Sequence, residues 1–181
     1  AIDQLVTAPL PEQPIERCRV LYISPLKALA VDVERNLRSP LAGITRESIR
    51  MGLPEPQIAV GVRSGDTLAA DRRRFNTHPP DIFITTPESL FLILTSAARS
   101  ALAGVQTVII DEVHAIAGSK RGAHLALSLE RLDALLPTPA QRIGLSATVR
   151  PIDGIAAFLG GSRPVTIVNP PSNKTVEIAV K

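Results

Sequence analysis

Apolar runs and amphipathic stretches alternate along this chain. The central run, residues 108–110, is β-branched without a polar break, which is typical of a strand buried on both faces of a parallel sheet. Comparable runs predict five more strands, which cover residues 19–24, 58–62, 81–85, 142–145 and 165–168. Turn or cap residues follow most of these runs and limit each run to the length of a strand.

Helical periodicity separates the strands. One apolar face recurs at helical spacing after the first strand, and its members are Leu26, Leu29, Ala30, Val33 and Leu37. We expect Pro40 to end this helix and a shorter helix to cover residues 44–51, with Gly52 as its C-terminal stop. A second apolar face consists of Leu125, Leu129, Leu132 and Leu136.

Shorter helices complete the pattern. Residues 1–7 have the pattern of a helix tail, residues 71–74 lie in a charged helical segment, and residues 152–159 form a short helix before two glycines. Thr86-Pro87-Glu88 has the features of a helix start, with a threonine N-cap, a proline at the first position and an acid in the first turn. Residues 118–122 are predicted to form a small basic loop.

The alternation of strands and helices predicts an α/β fold. A mostly parallel sheet would carry helices on both faces through right-handed crossovers. The length of 181 residues and the hydrophobic content of 45% fit one domain. We assign residues 1–169 to that domain and residues 170–181, which begin Pro-Pro-Ser-Asn, to a linker and the start of a following segment.

Composition narrows the classes of function. No apolar run approaches the ~20 residues that span a bilayer, so no membrane partner is expected. The single cysteine, Cys18, cannot form an internal disulfide and fits a reducing compartment. The net charge of +3 permits a nucleic-acid partner. Aromatic residues make up only 3% and tryptophan is absent, so a base-stacking platform is not expected.

Small polar clusters follow five of the predicted strands. They are Ser24-Pro25-Leu26-Lys27, Arg63-Ser64-Gly65-Asp66, Thr85-Thr86-Pro87-Glu88, Asp111-Glu112-Val113-His114 and Ser146-Ala147-Thr148. Each cluster alone is explained by a turn or a helix cap. Ligands of open α/β sheets bind at the carboxyl ends of the strands, so we expect all five clusters to line one rim of the sheet.

The two acids after the central strand are the leading candidates for chemistry. An aspartate in the position of Asp111 can hold Mg²⁺ through water while the cation binds nucleotide phosphates. The adjacent Glu112 can orient and deprotonate an attacking water. A helix cap or solvated turn remains an alternative for this stretch alone. A zinc-hydrolase site with His114 is disfavoured, because the spacing lacks the histidine pair of helical zinc sites.

Four of these clusters together resemble a known family. Ser-Pro-Leu-Lys-Ala-Leu from residue 24, Thr-Pro-Glu from residue 86, Asp-Glu-Val-His from residue 111 and Ser-Ala-Thr from residue 146 are similar to the motor motifs of superfamily-two helicases of the DExH type. Longer stretches, at residues 22–29, 79–90, 108–125 and 142–150, resemble the Lhr (large helicase-related) family. The resemblance covers nearly the whole chain, and residues 118–136 are not shared by helicases in general.

The resemblance implies a RecA-like three-layer fold and a role for each motif at the nucleotide. Asp111 would hold the Mg²⁺ of Mg-ATP through water, and Glu112 would activate the hydrolytic water. His114 would relay the state of the nucleotide to the nucleic acid, and the segment Ser146, Ala147 and Thr148 would serve the same coupling.

The resemblance implies that the remaining clusters lie against the backbone of a bound single strand. The candidates at the first three strand ends are Ser24, Pro25, Lys27, Arg63, Gly65, Asp66, Thr86, Pro87 and Glu88. Lys120 and Arg121 are added because their loop is expected near the rim. Backbone N–H groups at the start of the Thr86 helix favour a phosphate. We therefore expect the Glu88 carboxylate to turn away, toward an arginine such as Arg63.

The resemblance implies that the full-length protein is an ATP-dependent translocase that moves 3′ to 5′ on single-stranded DNA and unwinds RNA:DNA or DNA duplexes. Its partners would include a second RecA-like domain of the same protein. It would be located in the bacterial cytoplasm, at the nucleoid. The family's phosphate-binding loop, G-x-x-x-x-G-K-[ST], is missing from these residues, so we expect residues 1–169 to be an incomplete motor domain that alone hydrolyses ATP at no more than the background rate. Alternatives are a duplex translocase and a nucleic-acid-binding module without ATPase activity.

Overall fold

The core of the protein is a five-stranded sheet in which every neighbouring pair is parallel. The computed structural model describes residues 1–147 and 151–170. The strands are β1 (Val20–Ile23), β2 (Val60–Arg63), β3 (Ile82–Thr85), β4 (Thr107–Ile110) and β5 (Gln141–Gly144). Their order in the sheet is β2-β3-β1-β4-β5, so β3, β1 and β4 lie inside it and β2 and β5 are its edges.

Helices cover both faces of this sheet. They are α1 (Ile2–Thr7), α2 (Lys27–Arg50), α3 (Ala69–Thr77), α4 (Pro87–Leu94), α5 (His114–Ala117), α6 (Lys120–Leu135) and α7 (Ile152–Gly160). Two short 3₁₀ helices cover Pro14–Glu16 and Ala97–Leu102. None of the helices in the described part of the chain combines the length and apolar character that crossing a bilayer requires.

Strand β1 shows how the three layers form. Its side chains alternate between the faces of the sheet: Leu21 and Ile23 join the core cluster beneath α4 and α6, whereas Val20 packs with α1 and α2 on the other face. Because both faces are covered, the three inner strands β1, β3 and β4 are nearly continuous apolar runs. The predicted α/β fold with helices on both faces of a parallel sheet is confirmed.

Helix α2 departs from the prediction. Pro40 does not end it, and the helix covers 24 residues in all, from Lys27 to Arg50. A proline inside a helix removes one backbone donor, which would have bonded to the carbonyl of Asn36. Both residues are exposed, so water can satisfy that carbonyl. The predicted stop is confirmed: Gly52 adopts φ 71° and its N–H donates to the carbonyl oxygen of Ile49 at 3.0 Å.

Two further local predictions are wrong. Residues 118–122 are not a loop, because Ser119 caps α6 by accepting from the N–H of Gly122 at 3.1 Å, and Lys120 and Arg121 lie in the first helical turn. Residues 165–168 form no strand, since this part of the described chain joins no ladder of the sheet. Val165 instead packs on the core, and Val168 is 84% exposed.

Candidate functional site

The predicted clusters meet at one rim of the sheet. In the strand register, Ile23 is level with both Thr85 and Ile110, Thr85 is level with Arg63, and Ile110 is level with Gly144. All five strands therefore end at the same height. The clusters follow one another along this rim in the order of the strands. Those after β2, β3 and β1 lie on one side, those after β4 and β5 lie on the other, and the two sides meet where β1 pairs with β4.

The turn after β4 holds Asp111 and Glu112 in a constrained geometry. The backbone N–H of Asp111 donates to the carbonyl oxygen of Ile23 at 2.9 Å and so extends the pairing with β1. The Asp111 carboxylate then accepts from the N–H of Glu112 at 2.9 Å. Glu112 has φ 44°, the one positive φ of a non-glycine residue among the described residues. Such a backbone costs on the order of 1–3 kcal/mol and is concentrated at functional sites.

His114 joins the acids to the end of β5. Its Nδ1 lies 3.4 Å from Glu112 Oε2 and 3.1 Å from Ser146 Oγ. The Ser146 hydroxyl donates to the carbonyl oxygen of Ala147 at 3.0 Å, so its oxygen is left to accept from the ring. This arrangement favours the tautomer with hydrogen on Nδ1. The third residue of the segment, Thr148, lies outside the described residues.

Tyr22 is a neighbour of the acids that the sequence analysis missed. It lies on β1 opposite Ile109, one residue before the end of the strand, and it is half-buried. Burial raises the pKa of its phenol, and the hydrogen bond to Asp111 and the charge of that carboxylate raise it further. Tyr22 is the chain's one tyrosine and lies on a predicted strand, which is the signal that could have identified it.

The other half of the rim contains an exposed ion pair. Lys27 Nζ lies 2.6 Å from Asp66 Oδ2, and more than half of each side chain is exposed. The turn that holds Asp66 is fixed by Arg72, which donates to the carbonyl oxygens of Gly65 and Thr67 at 2.6 and 2.9 Å. Two residues predicted to bind nucleic acid, Lys27 and Asp66, thus contact each other.

The start of α4 is confirmed as a capped helix. Thr86 Oγ1 accepts from the N–H of Ser89 at 3.4 Å, and Pro87 occupies the first turn. Thr86 and Pro87 are buried, and Glu88 is the exposed member of the motif. Ser24 and Pro25, at the end of β1, are also buried. Any contact of these four residues with a ligand at the rim would therefore pass through backbone groups.

The prediction that Glu88 pairs with Arg63 is wrong. Its carboxylate binds Arg121, with Nε 2.6 Å from Oε1 and Nη2 3.2 Å from Oε2. The hydrogen bond from Arg121 is the main cause that lowers the pKa of Glu88. Arg63 instead stacks over the ring of Phe75, with its Cζ 5.6 Å from the ring centroid. Desolvation lowers the pKa of Arg63, and the charge of Arg72 adds to this effect.

Lys120 remains exposed in the first turn of α6. It neighbours Arg121 in sequence but makes no ion pair with any described residue. Of the predicted basic candidates, Lys27 and Arg121 are thus paired with carboxylates, Arg63 is stacked on a ring, and Lys120 faces solvent.

Comparison with known proteins matches the sequence of this chain to a helicase family. Residues 2–154 fit the family profile described as DEAD/DEAH box helicase. The chain is 65% identical to Lhr helicase/probable uracil glycosylase of Mycolicibacterium smegmatis over 181 residues, which is 100% of this chain and 12% of that protein. It is also 65% identical to Lhr helicase/uracil glycosylase of Escherichia coli over 162 residues, or 90% of this chain and 10% of that protein.

Solved structures agree with the sequence matches. The structure of Mycobacterium smegmatis helicase Lhr bound to ssDNA and AMP-PNP matches with a TM-score of 0.89 and 66% identity, over 96% of this chain and 22% of that one. The DEAD-box helicase Mss116, at 16% identity and a TM-score of 0.66, shares the fold. The resemblance to Lhr and the RecA-like fold predicted from the sequence are confirmed. The chain spans about a tenth of the curated bacterial relatives it matches.

Proposed function

Because this chain belongs to the DEAD/DEAH box helicase family, we propose that it supplies one motor domain of an ATP-dependent helicase, with a nucleotide half and a strand half on one rim. The observation that carries the proposal is the order of the sheet. It groups Asp111, Glu112, His114 and Ser146 after β4 and β5, and it groups Lys27, Asp66 and Glu88 after the other three strands. We assign residues 1–169 to the first RecA-like domain and residues 170–181 to the linker that follows.

The nucleotide half would perform the chemistry of hydrolysis. Glu112 would take a proton from the attacking water, because its carboxylate is partly exposed and its backbone is held in the strained turn. Asp111 would hold Mg²⁺. Among the described residues no three acidic, histidine or cysteine side chains cluster as a metal site, so one carboxylate, water and nucleotide phosphates would supply the ligands. Bound Mg²⁺ would neutralise the phosphate charge.

The contact between His114 and Ser146 would couple the two activities. It joins residues 32 positions apart and spans the ends of β4 and β5. A change at Glu112 on loss of phosphate can pass to His114 over 3.4 Å and then to the segment after β5. We infer that Ser146, Ala147 and Thr148 pass that change to the strand half.

The strand half would hold single-stranded DNA by its backbone. Lys27, the backbone at Gly65 and the start of α4 offer donors and positive charge that suit phosphate without reading bases. The Lhr relative is bound to ssDNA and AMP-PNP, which supports this choice of ligand. We extend the proposal to movement in the 3′-to-5′ direction and to unwinding of RNA:DNA or DNA duplexes. The partner within the same protein would be a second RecA-like domain, and the protein would act in the bacterial cytoplasm, at the nucleoid.

The test uses the full-length protein. ATP hydrolysis is measured alone, with single-stranded DNA and with blunt duplex, and unwinding is measured on duplexes with a 3′ or a 5′ tail. We expect single-stranded DNA to stimulate hydrolysis and the 3′-tailed duplexes to be opened. Stimulation by blunt duplex without unwinding would indicate a duplex translocase, and binding without hydrolysis would indicate a passive nucleic-acid-binding module.

A further inference from the structure

Arg121 makes contacts that join three separate segments of the rim. Its Nε and Nη2 form a bidentate pair with Glu88 at the start of α4, at 2.6 and 3.2 Å. The same Nη2 donates to the carbonyl oxygen of Pro25, between β1 and α2, at 3.0 Å. One guanidinium on α6 therefore holds both the Thr86-Pro87-Glu88 segment and the Ser24-Pro25-Leu26-Lys27 segment.

The position of Arg121 is itself set by the nucleotide half. Helix α5 begins at His114, two residues after Glu112, and it ends three residues before α6 begins. The two helices touch closely at Gly122, where a Cβ atom would lie 2.8 Å from the carbonyl oxygen of Ala117 and closer still to that of Ile116. Because backbone packs directly on backbone, α5 and the first turn of α6 must move together.

We propose that Arg121 is a positioning residue that holds the two strand-contacting segments in register with the nucleotide half, and that it is not a ligand of the nucleic acid. This inference rests on the proposed function, because it assigns a role within the same rim. It also departs from the expectation that Arg121 binds nucleic acid directly.

The contacts of Arg121 favour positioning over binding. A phosphate would have to displace a carboxylate that already uses the planar fork of the guanidinium, which suits bidentate pairing. The Glu88 charge would repel that phosphate. Nearly half of the Arg121 side chain and about half of the Glu88 side chain are exposed, so the pair adds little to folding stability. The substitutions below should therefore leave the protein folded.

The experiment measures two quantities in the full-length protein: affinity for a fluorescent oligonucleotide over a series of salt concentrations, and the oligonucleotide concentration that half-maximally stimulates ATP hydrolysis. The variants are Arg121→Ala, Arg121→Lys, Glu88→Gln and the double variant of Arg121→Ala with Glu88→Gln. Arg46→Ala is the control for loss of one positive charge, since Arg46 is exposed on α2 and has no ion pair among the described residues.

A positioning role makes several linked predictions. Arg121→Ala should raise the half-stimulating concentration roughly 5- to 30-fold relative to Arg46→Ala, as expected for one exposed ion pair and one carbonyl hydrogen bond, with the KM for ATP unchanged. Glu88→Gln should weaken stimulation in the same direction, and the double variant should lose no more than Arg121→Ala alone. Arg121→Lys should restore little of the stimulation, because an ammonium lacks the planar fork of a guanidinium. The log–log slope of affinity against salt should be the same for Arg121→Ala as for the wild type.

A phosphate-binding role for Arg121 predicts different results. Glu88→Gln would tighten binding by removing a repulsive charge, Arg121→Lys would restore it, and the log–log salt slope of Arg121→Ala would fall by about 0.7 for one contact on a single strand. Any one of these results would overturn the inference and leave the proposed function standing. The same holds if Arg121→Ala and Arg46→Ala have equal half-stimulating concentrations. A wild-type protein whose hydrolysis does not respond to single-stranded DNA would instead refute the proposed function.

Discussion

Replacing Gly122 by alanine should destabilise the protein, because α5 leaves no room for a side chain there. Gly122 lies buried in the first turn of α6. The new Cβ would lie 2.8 Å from the carbonyl oxygen of Ala117 and closer still to that of Ile116. Ordinary carbon–oxygen contacts lie at about 3.3–3.6 Å, so the shortfall is at least about 0.5 Å. Both oxygens are backbone atoms and cannot rotate away.

Two opposing terms set the size of the effect. Alanine in place of glycine within a helix is normally worth about 0.5–1 kcal/mol of stability. Overpacking a close contact costs about 1–3 kcal/mol, and a rigid backbone contact belongs toward the upper end. The net expectation is a loss of about 1–2 kcal/mol, which lowers Tm by roughly 2–8 °C for a chain of this size.

The control is Gly43→Ala in α2. A Cβ at Gly43 would meet nothing within 4 Å, so this substitution should raise stability by about 0.5–1 kcal/mol. Both variants of the 181-residue chain are unfolded by heat and by urea and followed by circular dichroism. The reasoning would be refuted if Gly122→Ala unfolded at or above the wild-type midpoint, or if the two variants shifted it alike.

The other predictions concern the full-length protein. Glu112→Gln should lower ATP turnover by about 10²–10⁴-fold with ATP binding retained, and turnover at the wild-type rate would remove Glu112 from the role of base. Lys27→Ala should weaken single-strand binding and reduce the log–log salt slope by about 0.7, whereas Asp66→Asn should strengthen binding by freeing Lys27; parallel slopes would argue against a phosphate contact. Ser146→Ala combined with Thr148→Ala should keep stimulated hydrolysis within a few-fold while unwinding falls much further, and an equal fall in both rates would place these hydroxyls in the ATP site or the fold.

The sequence alone determined the elements whose signals are local. The β-branched run before Asp111 predicted β4, because a strand covered on both faces needs apolar residues at every position. Thr86 and Pro87 predicted the start of α4, and Gly52 the end of α2, since capping depends on a few adjacent residues. The shared rim was also predictable, because parallel strands point their carboxyl ends the same way.

Only the tertiary structure decided how these elements meet. Pro40 is tolerated inside α2 because Pro40 and Asn36 are exposed and water can satisfy the Asn36 carbonyl. Residues 165–168 stay outside the sheet, where Val165 packs on the core. The order of the strands, which puts the clusters after β4 and β5 side by side and those after β2, β3 and β1 side by side, depends on crossovers that no local pattern records. Glu88 binds Arg121 rather than Arg63 for the same reason: the partners lie 33 positions apart, and packing of α6 against α4 and α5 brings them together.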